Sequence, residues 1–224
     1  LVNVSNHGYL QLSLEGARVL ARDQGLLSRV EPQVHELLAP GDRVELEVRP
    51  SQVDLALLDA PYSLNGGVAL GDSEARLELV VSAPAPAAAT LDWAEVAEAP
   101  TVDPGSTDIT WTFQGSTHAD NWMINGEQFP DMSVPEVLLG DEVIIEVRNL
   151  SATEHPFHLH GMRFELLSMN GEVPAFKVVE DTLNIPLYGA ARLRVVADNQ
   201  GDWMAHCHIL PHAEGGMMTV LRVE

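Results

Sequence analysis

The sequence predicts an all-β protein built mainly from antiparallel sandwiches, and three observations carry that prediction. Short runs alternate apolar and polar residues, as in Val44, Leu46, Val48 and again in Val143, Ile145, Val147. This period of two sends one face of a strand into a core and the other toward solvent. Turn-forming residues punctuate the runs at Pro40-Gly41-Asp42, Gly140-Asp141, Asn170-Gly171 and Gly189, where a chain must reverse between strands. Outside Trp93 to Glu98, no stretch carries a convincing helical period. Sheets with one buried face must stack on a partner, which gives sandwiches.

The bulk numbers bound what such a chain can do. Its 224 residues, 46% of them hydrophobic, have room for one large or two ordinary domains. The apolar runs are short and interrupted, so no membrane span of about 20 residues is predicted. The formal charge of -21, from 33 acidic against 12 basic side chains, argues against nucleic acid, whose phosphates require a clustered basic footprint. The chain starts at Leu1-Val2-Asn3 with no Met and no signal-like segment; any signal peptide is expected to have been removed or to lie on sequence beyond it.

The Ala83-Pro84-Ala85-Pro86-Ala87-Ala88-Ala89 segment, followed by Pro100 and Pro104-Gly105, reads as a Pro/Ala-rich connector over 83–106. It separates residues 1–82 from residues 107–224. The two parts resemble each other internally. Asn3-Val4-Ser5 with Tyr9 to Ser13 parallels Asn149-Leu150-Ser151 with Pro156 to His160, and Pro40-Gly41-Asp42-Arg43-Val44 falls where Leu187 to Leu193 does. Gln11 and Ser13 stand where the later part has His158 and His160, so the first part is expected to be a metal-free relative of the second. It matches only the second half of the later domain, and an incomplete sandwich is therefore expected.

Chemistry concentrates in two windows. His155-Pro156-Phe157-His158-Leu159-His160-Gly161 and His206-Cys207-His208-Ile209-Leu210-Pro211-His212, the latter running on to Gly216-Met217, hold six of the nine histidines and the only cysteine. On a strand His206 and His208 project to one face and Cys207 to the other, so one strand addresses two metal sites. His158 and His160 share a face by the same rule. Cys207, His212, Met217 and a second imidazole from His155 make the His2Cys plus axial thioether set of a blue, type 1 copper site. His158, His160, His206 and His208 remain for further metal ions. Structural zinc favours closed sets richer in thiolate, and a Cys-His nucleophile pair leaves most of the histidines unexplained. His7, His35 and His118 stand alone and read as ordinary surface or core residues.

His-Pro-Phe-His-Leu-His-Gly and His-Cys-His-x-x-x-His-x-x-x-Gly-Met resemble the motifs of the multicopper oxidases, a family that includes laccases, bilirubin oxidases, cuprous oxidases and ferroxidases. The resemblance implies cupredoxin-like Greek-key β-sandwiches, one incomplete and one complete, with residues 1–82 similar to the second half of the copper-free middle domain. Residue by residue it assigns type 1 copper to His155, Cys207, His212 and Met217, type 2 copper to His158, and the type 3 pair to His160, His206 and His208. It implies one-electron oxidation of a phenolic, aromatic or metal-ion substrate at type 1 copper, with Cys207, His206 and His208 carrying electrons to a trinuclear cluster that reduces dioxygen to water. It also implies a periplasmic or secreted location.

Two departures qualify this. Family members complete the trinuclear cluster with four histidines from two further His-x-His motifs, and this sequence has no other His-x-His. A partner is therefore expected: an N-terminal portion of the same protein, or a separate chain, without which these residues are expected to be inactive as an oxidase. The alternative is a blue-copper electron-transfer or copper-binding module using the type 1 site alone. Many bacterial relatives also carry an acid directly after the second type 1 histidine; here Ala213 occupies that place and Glu214 follows.

Overall fold

The computed structural model describes residues 1–31, 34–48, 55–67, 69, 71–79, 102–116 and 121–224. Most of the expected connector at 83–106, the helical reading of Trp93 to Glu98, and His118 lie outside the described residues.

The N-terminal region contributes β1 (Leu10–Leu14), β2 (Ala17–Arg22), β3 (Gly25–Glu31), β4 (Val34–Leu38), β5 (Val44–Val48), β6 (Leu55–Ala60) and β7 (Glu74–Leu79). They form a four-stranded sheet ordered β4-β1-β6-β7 and a three-stranded sheet ordered β3-β2-β5. Strict alternation on β2 buries Ala17, Val19 and Ala21. With Leu12, Leu14, Val34, Leu38 and Val44 most of these fill one core.

Further along come β8 (Ile109–Gln114), β9 (Met123–Ile124), β10 (Glu136–Val137), β11 (Glu142–Asn149), β12 (His155–Leu159), β13 (Phe164–Met169), β14 (Val179–Glu180), β15 (Thr182–Ile185), β16 (Ala190–Val196), β17 (Gly201–Cys207), the helix α1 (Leu210–Glu214) and β18 (Met218–Val223). A six-stranded sheet ordered β14-β13-β16-β11-β8-β9 faces a five-stranded sheet ordered β10-β18-β17-β12-β15. Pairing is antiparallel except at β8 with β11 and β10 with β18. Trp111, Phe113, Phe157, Phe164 and Leu193, all essentially inaccessible, fill the core between them.

The register of β12 against β17 positions the chemistry. Phe157 lies opposite Cys207 and His158 opposite His206. Residues directly opposed across a pair share a face, so Phe157 and Cys207 enter the core while His158 and His206 emerge together on the other side.

The two regions share a local device that matches their sequence similarity. Ser5 N–H donates to Asn3 Oδ1 at 3.0 Å and Ser151 N–H to Asn149 Oδ1 at 2.8 Å. Asn3 N–H in turn donates to Asp42 O, and Asn149 N–H to Gly189 O. These Asx turns fix the entry into β1 and β12 alike. The cores also touch, since Tyr9 packs on the later core and Phe176 on the earlier one.

Helix α1 departs from the sequence expectation, which placed no helix in the Cys207 to Met217 loop. It is one turn, opened by Pro211 in its first positions, where the missing N–H costs nothing. Five residues are too few to display a helical period.

Candidate metal centre

Three of the predicted type 1 residues converge at one end of the later sandwich. His155 begins β12, Cys207 ends β17 and His212 sits on α1. Cys207 Sγ lies 3.5 Å from His155 Nδ1 and 3.6 Å from His212 Nδ1, and the two nitrogens are 3.2 Å apart. The corners of this triangle stand about 2 Å from its centre, the length of a metal–imidazole bond. Among the described residues it is the one group of three or more His, Cys, Asp or Glu side chains whose donor atoms all lie within 4.8 Å of one another. All three are buried, Cys207 completely. Met217 is equally inaccessible, and its backbone closes the loop: Met217 N–H donates to His212 O and Cys207 N–H to Met217 O.

The surroundings fix the orientation of these groups. Ser151 Oγ donates to Asn149 Oδ1 at 2.8 Å. Its one proton thus committed, it accepts from His155 Nε2–H at 2.7 Å, which leaves the Nδ1 lone pair facing the sulfur. Ile209 N–H points at Cys207 Sγ at 3.4 Å, a contact that favours thiolate. Burial works against it and pushes the metal-free thiol up. Burial also holds His155 well below the usual imidazole range and lowers His212 to about 4, so both rings are neutral donors at neutral pH. Trp122 stacks on the His212 ring with centroids 3.7 Å apart and meets His155 edge-on at 5.4 Å; Phe113 meets His155 edge-on at 5.6 Å. These aromatics exclude water from the triangle.

The other four predicted residues gather on the opposite side of the β12–β17 pair. Ring centroids are 4.7 Å apart for His158 and His160, 5.1 Å for His160 and His206, and 5.5 Å for His206 and His208. His160 Nε2 and His206 Nε2 approach to 2.9 Å. His206 Nδ1–H donates to Cys207 O at 2.9 Å, and His158 Nδ1–H is held by Asp181 O at 2.8 Å and Thr182 Oγ1 at 3.0 Å. Nε2 is thereby left as the lone-pair donor in both rings, open in His158 and turned toward His160 Nε2 in His206. Burial, followed by mutual repulsion, lowers His160 and His208 and brings His206 to about 4. Four imidazoles with no single tight donor group among them suit the half-shells of several ions better than one closed site.

Of the other histidines among the described residues, His7 and His35 are exposed and stand apart from both groups. Glu214 is exposed on α1. Residues that sequence reasoning did not single out as functional include Ser151, Trp122, Asp181 and Thr182. For Ser151 a signal existed in the Asn149-Leu150-Ser151 turn just ahead of His155; for Trp122 there was none.

A two-sheet sandwich carrying a buried His2Cys triangle at one end defines a protein of cupredoxin-like fold. Residues 101–224 match the family model for multicopper oxidase, and the chain belongs to that family. It is 36% identical over 122 residues to copper resistance protein A of Escherichia coli, a match spanning 54% of this chain and 20% of that protein. A multicopper oxidase of Staphylococcus haemolyticus is 35% identical over 111 residues, covering 46% of this chain and 25% of that protein. Over its whole length the chain superposes on a variant of a multicopper oxidase from the hyperthermophile Aquifex aeolicus with a TM-score of 0.78 and 25% identity, covering 54% of that chain. The chain thus spans about half the length of that solved structure and matches a quarter or less of these two curated relatives. Copper is the metal of this family, and the His155, Cys207, His212 triangle is consistent with a type 1 site.

Proposed function

We propose that this chain is the type 1 copper-bearing part of a laccase-like multicopper oxidase, which couples one-electron oxidation of phenolic, aromatic or metal-ion substrates to four-electron reduction of dioxygen to water. The observation that carries this is the β17 strand end, where Cys207 belongs to the buried triangle while its neighbours His206 and His208 belong to the histidine cluster. One residue of covalent backbone in each direction links the two donor sets.

In this reading His155, Cys207, His212 and Met217 hold type 1 copper, His158 serves type 2 copper, and His160, His206 and His208 serve the type 3 pair. Bound copper supplies the one-electron and oxygen chemistry. The protein's own part is to keep imidazoles neutral, fix their tautomers through Ser151, Asp181 and Thr182, and exclude water with Trp122 and Phe113. Four imidazoles do not complete a trinuclear shell, and the remaining ligands are assigned to polypeptide outside these 224 residues, either an N-terminal portion of the same protein or a separate chain. Residues 1–82 are read as the copper-free middle domain, joined by 83–106 to the copper-bearing domain at 107–224, and the protein is assigned to the periplasm or cell exterior.

Elemental analysis and oxygen uptake test this. The whole protein is expected to hold several copper ions per chain, to be blue, and to consume oxygen with a phenolic or ferrous substrate, whereas residues 1–224 alone are blue and consume none. A blue whole protein with one copper per chain and no oxygen uptake establishes an electron-transfer module instead.

A further inference from the structure

The histidine cluster is held from outside its own sandwich. His158 Nδ1 is fixed by Asp181 O and Thr182 Oγ1, and these two residues are fixed by the N-terminal region. Asp23 Oδ2 accepts from Asp181 N–H at 3.2 Å and from Thr182 N–H at 2.9 Å. Arg43 grips the Asp181 carboxylate as a fork, Nη1 to Oδ1 and Nη2 to Oδ2, both at 2.6 Å. Arg43 N–H donates to Asp23 Oδ1 at 3.0 Å, so the two gripping residues also hold each other. Thr182 Oγ1 donates to Asp181 Oδ1 at 2.9 Å, which leaves its lone pair to receive the His158 proton.

A second contact comes from the same loop. A Cβ on Gly41 would lie 2.7 Å from Cδ2 and 2.9 Å from Nε2 of His208, and its φ of +94° already favours glycine. The Gly41 backbone therefore lies directly against the His208 ring with no room for a side chain. Residues 41–43 thus abut one histidine of the cluster and, through Asp181, orient another.

We propose that Arg43 and Asp23 are positioning residues for the histidine cluster, clamping the Asp181–Thr182 segment so that His158 presents Nε2 to its metal. This rests on the reading of His158 as a type 2 copper ligand. The clamp needs the guanidinium fork, not merely a positive charge, because two parallel N–H bonds fix the carboxylate plane and a lysine ammonium cannot. Partners that orient a metal-bound histidine typically contribute 10- to 100-fold in metal affinity.

The test uses the copper-loaded whole protein, with Arg43→Lys and Arg43→Ala variants. Copper is withdrawn with a graded chelator while blue absorbance reports the type 1 site and the electron paramagnetic resonance signal of type 2 copper reports the other. Both variants are expected to retain full blue absorbance per chain, because Arg43 is not bonded to His155, Cys207 or His212. Their type 2 signal is expected to be lost at about 10- to 100-fold lower chelator strength, and lysine is expected not to rescue it. A type 2 titration superimposing on wild type in Arg43→Lys overturns the clamp. Loss of both signals in parallel also overturns it, since that is general destabilisation. Should Arg43→Ala fail to fold, Arg43→Lys decides alone. A wild-type protein that is blue but lacks any type 2 signal removes the His158 assignment itself, and the clamp with it.

Discussion

Ser151 shows how much a single hydroxyl decides. It passes its proton to Asn149 and receives one from His155 Nε2, so removing it leaves a buried N–H unsatisfied, at a cost of about 1–3 kcal/mol. Ser151→Ala is expected to lower thermal stability by that amount and to weaken type 1 copper about 10- to 100-fold, read as loss of blue absorbance against a chelator series. Unchanged copper affinity would remove Ser151 from the site. Cys207→Ser is expected to abolish the blue absorbance outright, because the thiolate donor is gone. The ligand candidates were readable as spacing: two dense windows announce them. Their orienting partners were not, since a serine before a histidine or a tryptophan 33 residues upstream acquires meaning only when the rings are seen beside it.

Strands and turns impose the next constraint. Reading the two windows as strands sorted their side chains by face, yet only the register, with His158 opposite His206, brings the windows together. Phe157 locks that pair from beneath, completely buried against Trp111, Phe113 and Phe164. Phe157→Ala is expected to cost about 3–5 kcal/mol, measured by denaturant unfolding, and to perturb both donor sets at once. Gly161 ends the His160 segment at φ +72°, with Trp203 Cε3 only 2.1 Å from where a Cβ would stand. Gly161→Ala is expected to destabilise by at least about 1–3 kcal/mol, and a variant as stable as wild type would show that the indole yields freely. The α1 turn was invisible to pattern reasoning because one turn has no period.

Across the whole molecule, the seam between the two regions encloses a cavity of about 170 Å³ lined by Arg22, Asp23, Glu36, Asp42, Arg43 and Glu180. Burial, then Asp23, push Glu180 from 4.5 up to about 8, with Arg22 working the other way. A raised carboxyl favours folding when protonated, so its contribution is fully present below about pH 4.5 and is lost as pH rises through 8. Glu180→Gln keeps the neutral shape at every pH. Its stability relative to wild type is expected to grow between pH 5 and pH 9, approaching about 5 kcal/mol; thermal denaturation at several pH values checks this, and a pH-independent difference refutes it. Acidic groups from both regions meet at this seam, and among the described residues lining it Arg22 and Arg43 offset them.

The sequence by itself determined the all-β character, the two histidine-rich windows and the sorting of Cys207 from His206 and His208. Each of these is a local period or spacing that survives in one dimension. Only the tertiary structure decided which residues complete and orient the site. Arg43 and Asp181 are 138 residues apart, Asp23 and Thr182 are 159 apart, and Gly41 meets His208 across the same seam. Such pairs are chosen by how two sandwiches pack, and packing depends on the combined shape and charge of many side chains, which no local pattern records.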